Sequence, residues 1–315
     1  MKRIITLTLV LAAVFVPLFA QDFQKLAHRT DDKNAPAVYF TTDISAQGLL
    51  KVYDALNQNI GKNVAIKVSF GAPGEQVLDA KLLSGLIART GGTMVDCNGL
   101  SGNRWTAAMN LALAKENGFA AVGKTQMLDD QGDIDLPVNG GRLLTYTRTG
   151  SRFNDYDTFI AVHRFKLHYL PALGGNIKNI SLCLASRSGK CLIHSGGTDA
   201  NRFHNMSAEI TMQSFADATK AALDAKKNWA FVNVLDSFRV EDSCRGAQNP
   251  GNIGIIASRD VVAIDQCAVD FQIGLAPADD ATKSAWETQH QVAVLKYAED
   301  LGCGTRHYRF INLDE

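Results

Sequence analysis

A regular alternation of short apolar runs with helix-forming stretches constrains this chain's fold more than any other feature. Residues 37–42 read as a strand. Ser45 then suits a helix N-cap, with Leu49, Leu50, Tyr53 and Leu56 on one face and Gly61 as the stop. A second strand, 63–70 (NVAIKVSF), ends in the Gly-Ala-Pro-Gly turn at 71–74. Leucine and isoleucine spacing predicts a helix over 78–89, closed by Gly91-Gly92. A short strand (TMVDC, 93–97) and a helix over 105–117 follow. Strands alternating with helices are the pattern of a parallel sheet covered on its faces. The expected fold is α/β, a mostly parallel Rossmann-like sheet with helices on both faces. It forms a single domain over 37–315 with room for two lobes.

The second half continues the pattern. The acidic, turn-rich stretch 124–141 reads as an excursion, and 142–149 alternates as a strand would. Residues 207–225 fit an amphipathic helix and 229–235 (WAFVNVL) a buried strand. Another strand over 252–258, helices over 261–273 and 283–301, and a closing strand over 307–313 complete the reading. Ser258 is placed to cap the helix after it.

The first twenty residues have a different character. Lys2 and Arg3 precede an apolar run, 4–16, and Leu18-Phe19-Ala20 precedes Gln21, the layout of a cleavable signal peptide. A polar, loose segment is expected over 21–36. The protein should therefore be exported, periplasmic or extracellular, and with no later apolar run of comparable length it needs no membrane span after cleavage. Of 32 Lys and Arg, two leave with the leader, against 32 Asp and Glu. A nearly neutral chain without a basic stripe argues against nucleic acid as a partner. Six cysteines (97, 183, 191, 244, 267 and 303) show no C-x-x-C spacing, so no zinc ribbon or ferredoxin motif is written here. Cys97 and Cys267 lie in apolar patterns and read as small buried hydrophobes, while Cys191 and Cys244 fall in polar stretches.

The chemistry concentrates in 158–194. An apolar run, 159–162, empties into His163, Arg164, Lys166 and His168, followed by Gly174-Gly175 and then Asn176, Lys178 and Asn179, where a helix can start. In open α/β sheets ligands bind at the carboxyl ends of strands. Imidazole is a common metal ligand and proton carrier, and lysine a partner for carboxylate or phosphate. His168, Lys178 and Asp265 are the candidate catalytic residues. Lys166, Gly174, Gly175 and Asn179 are candidates for holding a cofactor, and His168 with His194 for holding a metal ion. A second group, Asp236, Arg239, Glu241, Asp242 and Cys244, follows the strand 229–235 and could orient a histidine or bind a cation. The partner these residues imply is a small anionic ligand or cofactor. They fit an enzyme performing redox or proton transfer, a non-catalytic anion-binding protein, or a scaffold without catalysis.

Several stretches resemble one known family. VAIKVS (64–69), the Lys166–His168 turn with its Gly174, Gly175, Lys178 and Asn179, the segment 233–244, IIASRDVVAIDQCAVD (255–270) and the tail 297–311 are similar to the domain of unknown function 362 family. Its members are often labelled uncharacterised iron–sulfur centre proteins. Many carry a ferredoxin-like cysteine cluster after the stretch matching 189–197. Here that region holds Cys191 and no run of cysteines, so the resemblance does not extend to an iron–sulfur cluster. His168, Gly174, Gly175 and Lys178, followed later by Arg259-Asp260 and Ala263, also resemble in order the N-terminal domain of nickel-pincer lactate racemases. The resemblance implies a pyridinium-derived nickel cofactor there, but Tyr169 stands where a second histidine is expected.

Overall fold

In a computed structural model, the chain is described over residues 23, 26–100, 102–167, 173–236, 251–275 and 290–315. Among the described residues, twelve strands are β1 (Ala37–Thr41), β2 (Val64–Lys67), β3 (Thr93–Asp96), β4 (Thr125–Met127), β5 (Asp133–Pro137), β6 (Tyr146–Gly150), β7 (Thr158–Arg164), β8 (Lys166–Leu167), β9 (Leu173–Gly174), β10 (Trp229–Leu235), β11 (Gly254–Ser258) and β12 (Arg309–Asn312). Eight of them form one sheet in the order β12-β1-β11-β10-β7-β2-β3-β4. From β10 to β4 every neighbouring pair is parallel, whereas β11 runs antiparallel to both β1 and β10. The fold is thus α/β with a mixed, mostly parallel sheet. β5–β6 and β8–β9 are separate two-stranded ladders.

The central strands β7 and β10 are buried along all seven residues each. That is the behaviour of parallel strands covered on both faces. The side-chain alternation sorts them into two apolar layers. Phe159 and Ala161 of β7, with Trp229 and Phe231 of β10, belong to one layer, while Ile160, Val162, Ala230 and Val232 belong to the other. Helices α5 (Asn176–Ile180), α6 (Arg187–His194), α7 (Ala208–Ala225) and α8 (Val261–Leu275) contribute to the first layer, and α1 (Ala46–Ala55) and α2 (Ser84–Thr90) to the second. Truncating a residue such as Phe159 to alanine would cost about 3–5 kcal/mol.

Local chemistry explains the helix ends. Ser45 Oγ accepts from Gly48 N at 3.1 Å and Ser207 caps α7 in the same way. Gly91, with φ of 65°, closes α2 in the left-handed region. At α8 the cap differs from the sequence reading. Asp260 Oδ1 accepts from Val262 N and Ala263 N, both at 2.9 Å, and Ser258 Oγ instead accepts from Asp260 N.

Three other segments differ from expectation. The 124–141 stretch supplies the sheet's edge strand β4 as well as β5. Residues 142–144 do not extend β6, because the backbone N–H groups of Arg142, Leu143 and Leu144 all donate to Asp217. Cys191 sits buried in α6, not in a polar loop. The described part of the segment preceding β1 is tied to the body. His28 bonds Asp270 through its backbone N–H and its ring, and Phe23 stacks near Phe40 and Phe310. No described helix is long and apolar enough to cross a membrane.

Candidate functional site

Because β2, β3, β7 and β10 run parallel, their last residues arrive at one rim. β2 ends in Lys67, β3 in Asp96 and β7 in Arg164, with Asn233 of β10 level with His163. A cleft opens at the ends of β2 and β7. Its polar lining is Ser69, Glu75, Gln76, His163, Arg164 and Lys166, and its apolar lining Val77, Leu78 and Val162. Gly71 turns the chain along this wall with φ of +86°, and a Cβ there would lie 2.1 Å from Val77 Cγ1. The position therefore needs glycine.

Arg164 is the fixed cation of the cleft. Its Nε forms an ion pair with Asp236 Oδ1 at 2.6 Å, and its Nη2 donates to Gln76 Oε1 at 3.3 Å. Its side chain is only 8% exposed, so the guanidinium is held rather than solvated. Burial pushes the Asp236 carboxyl above the usual range, against the lowering pull of Arg164. Lys166, half-buried, extends the basic wall from the short ladder in which it pairs with Gly174.

Beneath the rim lies a buried polar network. Lys67 Nζ donates to Val68 O at 2.7 Å, Asp96 Oδ1 at 3.0 Å and Asn179 Oδ1 at 3.1 Å. Asp96 Oδ2 accepts from Phe70 N at 3.1 Å and Arg104 Nη2 at 2.9 Å. Burial raises the Asp96 carboxyl, but Lys67 and Arg104 outweigh it and hold the group below the usual range. Lys67 and Asp96 are fully buried. Their bonds to Val68 and Phe70 fix the loop that borders the cleft. Asn179 Nδ2 returns a bond to Lys67 O, joining α5 to β2.

Asp265 occupies the other end of this network. Its carboxylate accepts from Asn176 N, Ile177 N and Asn233 Nδ2, each at 2.8 Å, so it caps α5 from α8. Burial raises it to about 6, with those three donors pulling the other way. A Cβ on Gly175 would lie 2.5 Å from both of its oxygens, so glycine permits the approach. Asn176 Nδ2 bridges on to Val232 O and Asn233 Oδ1, both at 3.0 Å.

Of the residues singled out in the sequence, Lys166 lines the cleft, Gly174 pairs with it, and Gly175, Asn179 and Asp265 join the network below. Lys178 and His194 are not among the residues lining that cleft. They lie near each other instead. His194 ends α6 with its ring edge-on to Phe203 at 4.8 Å, and burial, with Lys178 and Lys190, lowers it to about 4. His168 lies outside the described residues, as do Arg239, Glu241, Asp242 and Cys244. Lys67, Asp96 and Asn233 were not singled out as site residues. The signal for them was a charged or amide side chain inside or closing an otherwise apolar strand (VAIK, TMVD, WAFVNVL).

Among the described residues no three His, Cys, Asp or Glu side chains are grouped to hold a metal ion. The described cysteines are all unpaired thiols. Burial pushes the thiols of Cys97 and Cys267 well above their ordinary value and Cys303 to about 12, as expected of small side chains packed in the core.

Comparison with known proteins places these elements in context. No curated protein matches the chain. Among solved structures it is similar to a Thermotoga maritima protein from a structural genomics programme, at 11% identity and a TM-score of 0.46, covering 74% of this chain and 59% of that one. The lactate racemase apoprotein from Thermoanaerobacterium thermosaccharolyticum is similar at 12% identity and a TM-score of 0.45, covering 75% and 56%. The chain therefore spans somewhat over half the length of either. A family model, domain of unknown function (DUF362), matches residues 64–270, from the start of β2 through most of α8, and so includes the cleft and the network beneath it. The chain belongs to the DUF362 family.

Proposed function

We propose that this chain is an exported protein that captures a small anionic ligand or cofactor in the cleft at the carboxyl ends of β2 and β7. The observation that carries the proposal is the pairing of a nearly buried, pre-oriented Arg164 with a half-buried Lys166 on one wall. A guanidinium already locked by Asp236 and Gln76 loses little freedom when an anion arrives. Ligand sites in open α/β sheets favour this rim. A charge-assisted bond from either cation contributes about 1.5–3 kcal/mol.

A panel of phosphate, sulfate and small carboxylates in a thermal-unfolding assay tests the proposal. At 100 times its Kd a true ligand stabilises by about 2.7 kcal/mol. If no anion stabilises beyond chloride at equal ionic strength, the proposal fails.

A second reading, proton transfer to the bound species, rests on Asp236. Burial raises its carboxyl against the pull of the Arg164 guanidinium, the direction expected of a group that exchanges a proton with a bound species. Turnover of a stabilising anion that is lost in Asp236→Asn while binding persists would support it. Stabilisation without turnover leaves the binding reading alone.

A further inference from the structure

The loop after β2 brings an acid into the same cleft as Arg164 and Lys166. In the sequence Ala72-Pro73-Gly74-Glu75, Glu75 N donates to Ala72 O at 3.1 Å and Gly74 takes φ of +76°. Proline in the second place and a left-handed glycine in the third make a type II turn, and Glu75 leaves it facing the cleft. The position is held from both sides. Gln76, the next residue, accepts from Arg164 Nη2 at 3.3 Å. At the root of the loop, Phe70 N donates to Asp96 Oδ2 at 3.1 Å and Phe70 O accepts from Asn117 Nδ2 at 2.8 Å. The buried network thus anchors the segment that carries Glu75.

The charges of the cleft are mixed. Arg164 is already paired with Asp236 at 2.6 Å. Apart from His163, the other ionisable groups in the lining are one ammonium, on half-buried Lys166, and one carboxylate, on exposed Glu75. A bare inorganic anion would satisfy the two cations and be repelled by Glu75. A ligand that carries an anionic and a cationic group matches both signs. The apolar lining is Val77, Leu78 and Val162, all branched aliphatic side chains, with Val162 and Leu78 buried. Apolar walls with a few convergent polar groups are the usual make-up of a small-molecule site.

We propose that the ligand of this cleft is a small zwitterion, an aliphatic α-amino acid, with its carboxylate on Arg164 and Lys166, its ammonium toward Glu75 and its side chain against Val77, Leu78 and Val162. The inference rests on the anion-binding reading of the cleft and names the ligand class: the amino acid's carboxylate is the anion. Glu75 is then the residue that selects an amino acid over a simple carboxylate, since a carboxylate without an amine leaves the acid unmatched.

Calorimetric titration of L-valine, 3-methylbutanoate (valine without its amine) and isobutylamine (valine without its carboxylate) into wild type and Glu75→Gln tests it. Wild type should bind L-valine at least about tenfold more tightly than either fragment. Glu75→Gln should bring L-valine down to the affinity of 3-methylbutanoate and leave 3-methylbutanoate itself no weaker. Its thermal unfolding without ligand should be unchanged, because Glu75 is exposed. Wild type binding 3-methylbutanoate as tightly as L-valine, or a valine preference that survives in Glu75→Gln, would overturn the zwitterion while leaving the anion reading intact. Binding of neither acid, with no inorganic anion bound, would overturn both.

Discussion

Replacing Asp265 with asparagine probes the buried network through its pH dependence. In the wild type the carboxylate receives Asn176 N, Ile177 N and Asn233 Nδ2, each at 2.8 Å. An amide offers one oxygen and turns an N–H toward one of those donors. At pH 7 the loss of one charge-assisted bond and the stranding of a buried donor should destabilise Asp265→Asn by about 2–4 kcal/mol. The pH dependence follows from the carboxyl's rise from 3.8 to about 6 in the folded protein. Between those values the folded state binds more protons than the unfolded one, so stability grows as pH falls. Asparagine lacks this contribution. Each pH unit separating the folded from the unfolded value is worth roughly 1.36 kcal/mol, so the gap between wild type and variant should widen by about 2–3 kcal/mol from pH 7 to pH 4. Urea unfolding of both proteins across that range measures the gap, and every other titrating group cancels in the difference. A gap that stays constant or narrows toward pH 4 would refute the claim that desolvation dominates at Asp265.

Other perturbations separate structural from ligand-holding groups. Lys67→Met should destabilise by about 3–5 kcal/mol in chemical denaturation, because it removes a buried ion pair's cation and leaves Val68 O and Asn179 Oδ1 without their donor. Gly175→Ala should lose about 1–3 kcal/mol in the same assay, since its Cβ would press on the Asp265 carboxylate. His194→Phe should flatten the acid side of the pH–stability curve in urea unfolding, the wild type losing stability relative to the variant as pH falls, the opposite sense to Asp265. The imidazole is lowered to about 4 in the fold, so its contribution is present above pH 6.5 and lost as pH falls toward 4. Lys166→Met should leave thermal unfolding of the ligand-free protein within about 0.5 kcal/mol, being a partly exposed position, while weakening anion stabilisation.

The sheet was legible wherever burial on both faces writes a continuous apolar run, as in β7 and β10. It was less legible where a strand is short and lies at an edge, as with β4 (Thr-Gln-Met), or exposed on alternate residues, as with β5. Helix α6 was not read from the sequence, being only eight residues long and carrying Gly189 in its first turn. That glycine lets the helix approach Arg148 O, where a Cβ would sit at 2.0 Å. For the site, the glycine pair and the basic residues after β7 pointed to the rim of the sheet where the cleft lined by Arg164 and Lys166 opens. The division of labour did not follow from local sequence. Asp265 reaches α5 across 89 positions and Asn179 reaches Lys67 across 112, and neither pairing leaves a local pattern. Lys178 and Asn179 are adjacent in sequence, yet only Asn179 is buried in the network, because neighbours on a helix face different ways.

Calorimetric titration of the most stabilising anion into wild type and Lys166→Met measures occupancy of the cleft directly. Wild type should bind one equivalent, and Lys166→Met should bind at least about tenfold more weakly, the loss of one charge-assisted contact. Equal affinity in the two proteins would contradict an anion held at the end of β7.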